Sequence, residues 1–227
     1  MIPWKLVDSS LTPIPESRLE LFQRGAEFSI RVNGIELMNS RSYGSEATLG
    51  ERCCLRIADR ANARVLVGGL GLGYTLAAAL KILRADAAVV VAELVPAVVR
   101  WNRDFLGNLA GSPLQDLRVS VQELDVKKLL LNAQETFDAI ILDVDNSPDG
   151  LTQKDNDWLY GQTGLSVVKS ALRPAGVLGV WSVAPDRDFT RRLRSAGFAT
   201  EEISVRARSR RKGSRHTIWI ASRLHTT

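Results

Sequence analysis

The chain has 227 residues, 45% of them hydrophobic and 24% charged, with a net charge of +5. This is apolar material for one large domain, or a domain with a small appendage, and it argues against bulk disorder. No apolar run is long enough to span a membrane and the opening Met1-Ile2-Pro3-Trp4-Lys5 lacks a secretory apolar core, so no membrane partner and a cytoplasmic location are expected. The only cysteines, Cys53 and Cys54, are adjacent, which disfavours a disulfide; with two histidines, His216 and His225, near the C-terminal end, no metal site is expected.

Residues 1–18 carry Pro3, Pro13 and Pro15 and read as an irregular arm. Alternating apolar residues then predict strands over 19–23, 27–32 and 35–38, with Arg24-Gly25 and Asn33-Gly34 as the turns between them. Residues 1–44 thus form an arm and a small β-hairpin unit, too small to stand alone. Residues 45–227 form the main domain. A helix is predicted from Glu46 to Ala61, after which strands at 64–68, 87–92, 118–124, 137–142 and 177–183 alternate with helices at 74–83, 95–106, 126–132, 161–172 and 187–196. Such alternation predicts an α/β fold with a doubly wound, mostly parallel Rossmann-like sheet. Arg173-Pro174-Ala175-Gly176 reads as a turn. A final antiparallel pair, 201–205 and 217–221, is joined by a segment, 206–215, in which six of ten residues are Lys or Arg.

The run Val65 to Thr75 reads as a buried strand, a glycine-rich turn and a helix start. Gly69, Gly71 and Gly73 let backbone lie against a ligand, and the helix behind them offers free N–H groups. Glu93 ends the next strand 20 residues after Gly73, the distance at which a carboxylate accepts from ribose hydroxyls; the plainer alternative is a solvated strand-end acid. Asp125 and Asp143 end the two strands that follow. Three acids at one edge of the predicted sheet mark the ligand side of an open α/β fold.

These residues, with Phe137-Asp138-Ala139-Ile140-Ile141-Leu142-Asp143, resemble the class I S-adenosylmethionine-dependent methyltransferase fold. More narrowly they resemble the spermidine synthase (polyamine aminopropyltransferase) family, over roughly residues 27–221. The N-terminal hairpin, the long polar loop after Asp143, Leu159-Tyr160 through Val167, and Ala171 to Leu178 favour the narrower match. The resemblance implies that Gly69, Gly71 and Gly73 shape the cofactor turn and that Glu93 holds the ribose. Asp125 would take the adenine amino group with Val126 beside the ring, and Asp143 would be the catalytic carboxylate. Asp145, Asn146, Trp158 and Tyr160 would meet the acceptor. It further implies polyamine biosynthesis, a small-molecule amine acceptor, decarboxylated S-adenosylmethionine as donor, methylthioadenosine as product, no metal, and a homodimer as one possible assembly. The chain departs from the family where its glycine turn lacks an Asp, where Leu37 replaces a Gln, and where Asn146 replaces a second Asp.

Two alternatives stay open at this point. One is a methyltransferase using S-adenosylmethionine itself, releasing S-adenosylhomocysteine and acting on a small molecule or RNA. The other is a non-catalytic nucleic-acid-binding role for the basic segment 206–215, which as a solvated hairpin loop would need no partner.

Overall fold

The computed structural model describes residues 2–13, 17–144, 158–208 and 214–224. Near the N-terminus, β1 (Lys5–Leu11), β2 (Arg18–Arg24), β3 (Glu27–Val32) and β4 (Ile35–Asn39) form one antiparallel sheet in that order. Alternation along β2 and β3 turns Leu19, Leu21, Phe28, Ile30 and Val32 inward. The arm expected over residues 1–18 therefore contains a strand, β1. Its register shifts between Leu6 and Asp8, and Asp8 accepts hydrogen bonds from Trp101 Nε1 and Arg100, each at 2.7 Å. The prolines suggested irregularity; a tie to residues more than ninety positions away holds the strand in place.

The second sheet has seven strands: β5 (Arg64–Gly68), β6 (Ala88–Ala92), β7 (Val119–Gln122), β8 (Phe137–Leu142), β9 (Leu172–Ser182), β10 (Phe198–Arg206) and β11 (Arg215–Arg223). Their order is β10-β11-β9-β8-β5-β6-β7, and β11 runs antiparallel to both its neighbours while β9, β8, β5, β6 and β7 are parallel. Helices α1 (Gly44–Leu55), α2 (Tyr74–Ile82), α3 (Pro96–Trp101), α4 (Val126–Leu131), α5 (Gln162–Ala171) and α6 (Arg187–Ser195) complete the fold. All six residues of β8 are buried, as a strand covered on both faces requires. One core cluster runs from the inner side of the small sheet through α1, α2 and α3. The other joins α4, α5 and α6 on the opposite face.

Four expectations need correction. Helix α1 begins at Gly44 and ends at Leu55 rather than running over 46–61. The strand expected over 118–124 stops at Gln122, and Asp125 is the N-cap of α4, accepting from Lys127 N at 2.9 Å, instead of a strand end. The turn expected at 173–176 is an irregularity within β9: Ala175 has φ 55°, and the pairing with β8 shifts register beside it. A bulge of this kind tolerates Pro174 inside a strand. The helix expected over 95–106 widens after Trp101 into a π turn over Asn102–Leu106.

Candidate active site

The chain moves from β5 outward to β6 and β7, then returns to place β8 on the other side of β5. Ligands of open α/β sheets bind at such a reversal, beyond the carboxyl ends of the strands. Gly69 and Asp143 stand there side by side. Asp143 N donates to Gly68 O at 2.9 Å. Gly69 has φ +87°, and a Cβ on it would overlap the Asp143 carbonyl, so only glycine lets the two strand ends close on each other. Gly73 caps α2 in the left-handed region, packed against Asn102 and Pro113. Gly71 lies against the Met38 sulfur of β4, bringing the small sheet to the turn.

Glu93 follows β6 and is buried. Its carboxylate accepts from Leu70 N at 2.9 Å and Val95 N at 2.8 Å, so it braces the glycine turn. Burial raises its pKa, and backbone N–H donors oppose the rise. Asn102 Nδ2 braces the same turn through Gly71 O at 2.8 Å. Asn102 Oδ1 is buried with no hydrogen-bond partner among the described residues. A backbone cradle, a braced carboxylate and an orphaned acceptor beside it suit a polar nucleoside. Val126 packs against Gly68 beneath the turn.

Beside this cradle lies a cavity of about 210 Å³, walled by β4, the start of α1, the glycine turn, and the ends of β8, β9 and β11. Asp143 and Glu46 are its acids, Tyr74 and Trp181 its aromatic walls, and His216 borders it; among its described lining residues there is no Lys or Arg. Leu37 and Met38 supply apolar wall. Tyr43 stacks on Tyr74 with ring centroids 4.3 Å apart.

Asp143 accepts a short hydrogen bond from Thr75 Oγ1. Enclosure by protein raises its pKa to about 6, and the Thr75 bond pulls the other way. Thr75 Oγ1 is also 3.2 Å from the carbonyl of Glu46. One hydroxyl hydrogen cannot serve both acceptors. When Asp143 is ionised, Thr75 donates to it. When Asp143 is protonated, it donates to Thr75, whose own hydrogen turns to Glu46 O. Thr75 thus accommodates both states of the acid.

On the far wall, Ser45 is fully buried. Its Oγ is 2.6 Å from Glu46 Oε2, 2.8 Å from His216 Nδ1 and 3.1 Å from the donating Trp181 Nε1. His216 lies edge-on to Trp181, and burial lowers its pKa.

Of the residues singled out from sequence, Asp143 and Gly71 line the cavity; Gly69, Gly73, Glu93, Asp125 and Val126 lie outside its lining. Trp158 and Tyr160 do not line it either. Trp158 lies over the Lys127 ammonium, and the Tyr160 ring packs edge-on against Phe189, an apolar neighbour that satisfies an aromatic at a helix junction. Asp145 and Asn146 fall outside the described residues, as does 209–213 of the basic segment. Of that segment's flanks, Arg208 donates to Ser42 and Arg215 to Ser204. Among the described residues no group of His, Cys, Asp and Glu is arranged to hold a metal, and no helix is long and apolar enough to cross a membrane. Thr75, Ser45 and His216 carried no local signal, except that Thr75 opens the helix behind the glycine turn. The His216 contact with Ser45 joins residues 171 positions apart.

The sequence matches the model of the spermine/spermidine synthase domain over residues 56–185. Similar solved structures include a spermidine synthase in complex with the transition-state analogue AdoDATO, 18% identical, covering 96% of this chain and 73% of that one, with a TM-score of 0.77. The spermidine synthase from Thermotoga maritima is 18% identical over 96% of this chain and 72% of its own, with a TM-score of 0.73. A probable spermidine synthase from Corynebacterium glutamicum ATCC 13032 is 14% identical over 98% and 81%, with a TM-score of 0.67. No curated protein matches the sequence significantly.

Proposed function

Since the chain belongs to the spermine/spermidine synthase family, we propose that it transfers an aminopropyl group from decarboxylated S-adenosylmethionine to a small amine and releases methylthioadenosine. The observation that carries the choice of donor is the charge of the cavity: Asp143 and Glu46 line it with no Lys or Arg among its described lining residues. Two carboxylates repel the carboxylate of ordinary S-adenosylmethionine and attract an ammonium tail.

Glu93, fixed beside the glycine turn by backbone N–H groups that include those of Leu70 and Val95, holds the ribose. Asp125 and Val126, beside the next strand end, take the adenine. Gly69, Gly71 and Gly73 let the backbone lie against the nucleoside. The bound donor supplies a sulfonium that makes the neighbouring carbon electrophilic. Tyr74, backed by the stacked Tyr43 ring, and Trp181 offer aromatic surface to ammonium groups. The acceptor nitrogen forms the new C–N bond as the C–S bond breaks, and its surplus proton passes to Asp143. A carboxylate whose pKa is raised to about 6 is a better base than an exposed aspartate. Asp145 and Asn146 belong to the acceptor side in this reading. Trp158 and Tyr160 do not.

Calorimetry with decarboxylated S-adenosylmethionine, S-adenosylmethionine and methylthioadenosine tests the donor, followed by mass spectrometry of products from a panel of amines. Tighter binding of the decarboxylated form, with methylthioadenosine released only when an amine is added, is the expected result. Preference for the carboxylated donor, with methyl transfer to a small molecule or RNA, would overturn it.

A further inference from the structure

Aminopropyl transfer leaves one proton in the cavity at each turnover, and that proton must leave before the next cationic amine enters. We infer that Glu46, Ser45 and His216 form a proton relay from the inner wall of the acceptor cavity to its exposed rim at Ser214. The inference rests on the transferase reading above.

The hydroxyl of Ser45 has one hydrogen and two lone pairs. Trp181 Nε1 can only donate, so it takes one lone pair. Glu46 and His216 Nδ1 must share the other lone pair and the hydrogen. Two proton arrangements satisfy every atom. In the first, Glu46 is ionised, Ser45 donates to it, and the Nδ1–H of His216 donates to Ser45. In the second, Glu46 is protonated and donates to Ser45, and Ser45 donates to a bare Nδ1, leaving the hydrogen on Nε2. The other ring nitrogen, Nε2, is 3.2 Å from Ser214 Oγ. Ser214 is exposed and His216 half-buried, whereas Ser45 is fully buried. His216 and Ser214 also line the cavity, so the string links Glu46 to the exposed rim through one buried hydroxyl.

The transfer balances along this string. The proton that Asp143 takes from the amine is released into the cavity, where Glu46, the other acid lining it, takes it up. Glu46 gives it to Ser45 Oγ while the hydroxyl proton of Ser45 moves to His216 Nδ1, making an imidazolium. The imidazolium releases its Nε2 proton to Ser214 and water, and the imidazole, left with its hydrogen on Nδ1, returns to the Nε2–H tautomer by exchange with water before the next turnover. Around the string, β10 places Val205 opposite His216, β9 contributes Trp181, and the charged pair Arg206 and Arg215 lies one register step further along the hairpin.

The test combines chemical rescue with a spectroscopic readout. His216→Ala should lower kcat about tenfold, at or below the modest end of proton-transfer contributions, with the KM of the amine unchanged and activity restored by added imidazole. His216→Gln should fold and bind the amine like the wild type yet stay slow, because an amide relays no proton at neutral pH. Only two histidines occur in the chain, so long-range proton–nitrogen correlation spectra resolve the tautomer of His216 directly, with His216→Gln identifying its signals. Ser45→Ala should shift that tautomer. Unchanged kcat in His216→Ala and His216→Gln, or a loss that imidazole cannot restore, would overturn the path. If the wild type transfers nothing from decarboxylated S-adenosylmethionine to any amine, the transferase reading fails instead. The spectra then decide alone: a tautomer insensitive to Ser45→Ala overturns the hydrogen-bonded string.

Discussion

At the residue scale, chemistry at Asp143 turns on one hydroxyl. The Thr75 bond favours the ionised carboxylate while enclosure favours the neutral acid, and enclosure wins, leaving the pKa at about 6. Removing the hydroxyl with Thr75→Val should push the pKa higher still. The acidic limb of the kcat profile should then move to higher pH, as a titration of rate against pH would show. The same raised pKa has a stability consequence. Between the ordinary aspartate range and pH 6 the folded protein binds more protons than the unfolded chain, so stability falls as pH rises through that window. Asp143→Asn should remove this cost and raise the unfolding free energy at pH 7.5 by an amount on the order of 1–3 kcal/mol, with a higher melting temperature and the gain vanishing near pH 4. It should also lower kcat by about 10²–10⁴ if the carboxylate is the proton acceptor. A variant that melts lower at pH 7.5 would contradict the sign.

At the element scale, the glycine turn and β1 show opposite dependence on context. The turn was legible because its requirement is local: alternate glycines supply left-handed backbone wherever they occur. Gly69→Ala brings a Cβ into the Asp143 carbonyl at φ +87°, so denaturant melts should show a loss of roughly 1–3 kcal/mol, together with weakened nucleoside binding. Strand β1 was illegible because nothing in residues 1–18 marks it apart from the prolines that argue against it. Its fixed point is Asp8, held by Arg100 and Trp101. The Trp101 and Arg100 bonds also hold the Asp8 pKa below the ordinary range. Asp8→Ala should cost about 1–2 kcal/mol and expose the amides of β1 to hydrogen exchange before those of β2 and β3. Equal protection of β1 in the variant would show that backbone pairing with β2 suffices.

At the scale of the molecule, the two ends of the large sheet do different work. The sequence Phe137 to Asp143 begins and ends near an acid, and periodicity treats Asp138 and Asp143 alike. Tertiary structure separates them. Asp138, at the start of β8, is locked by Arg60 and Arg173, each at 2.8 Å, and by Arg64 N. Asp143, at the other end, faces the cavity. Asp138→Ala should therefore cost roughly 2–3 kcal/mol, less than a fully buried pair because both arginines reach water, while kcat of the surviving folded enzyme stays unchanged. A fall in kcat without a fall in stability would place Asp138 in the reaction.

The sequence by itself determined the order of strands and helices, the parallel class of the main sheet, the glycine turn, and the acids at its carboxyl edge. These follow from hydrophobic period and from backbone rules that act within a few residues. Only the tertiary structure decided that Asp125 caps a helix, that Trp158 and Tyr160 stand away from the cavity, that Trp181 and His216 line it, and that Ser45 and Thr75 bond its acids. Their roles depend on the packing of α1 against α2 and β9 and on the antiparallel return of β11, contacts between residues far apart in the chain. No local preference encodes such contacts; they exist only once the core has closed.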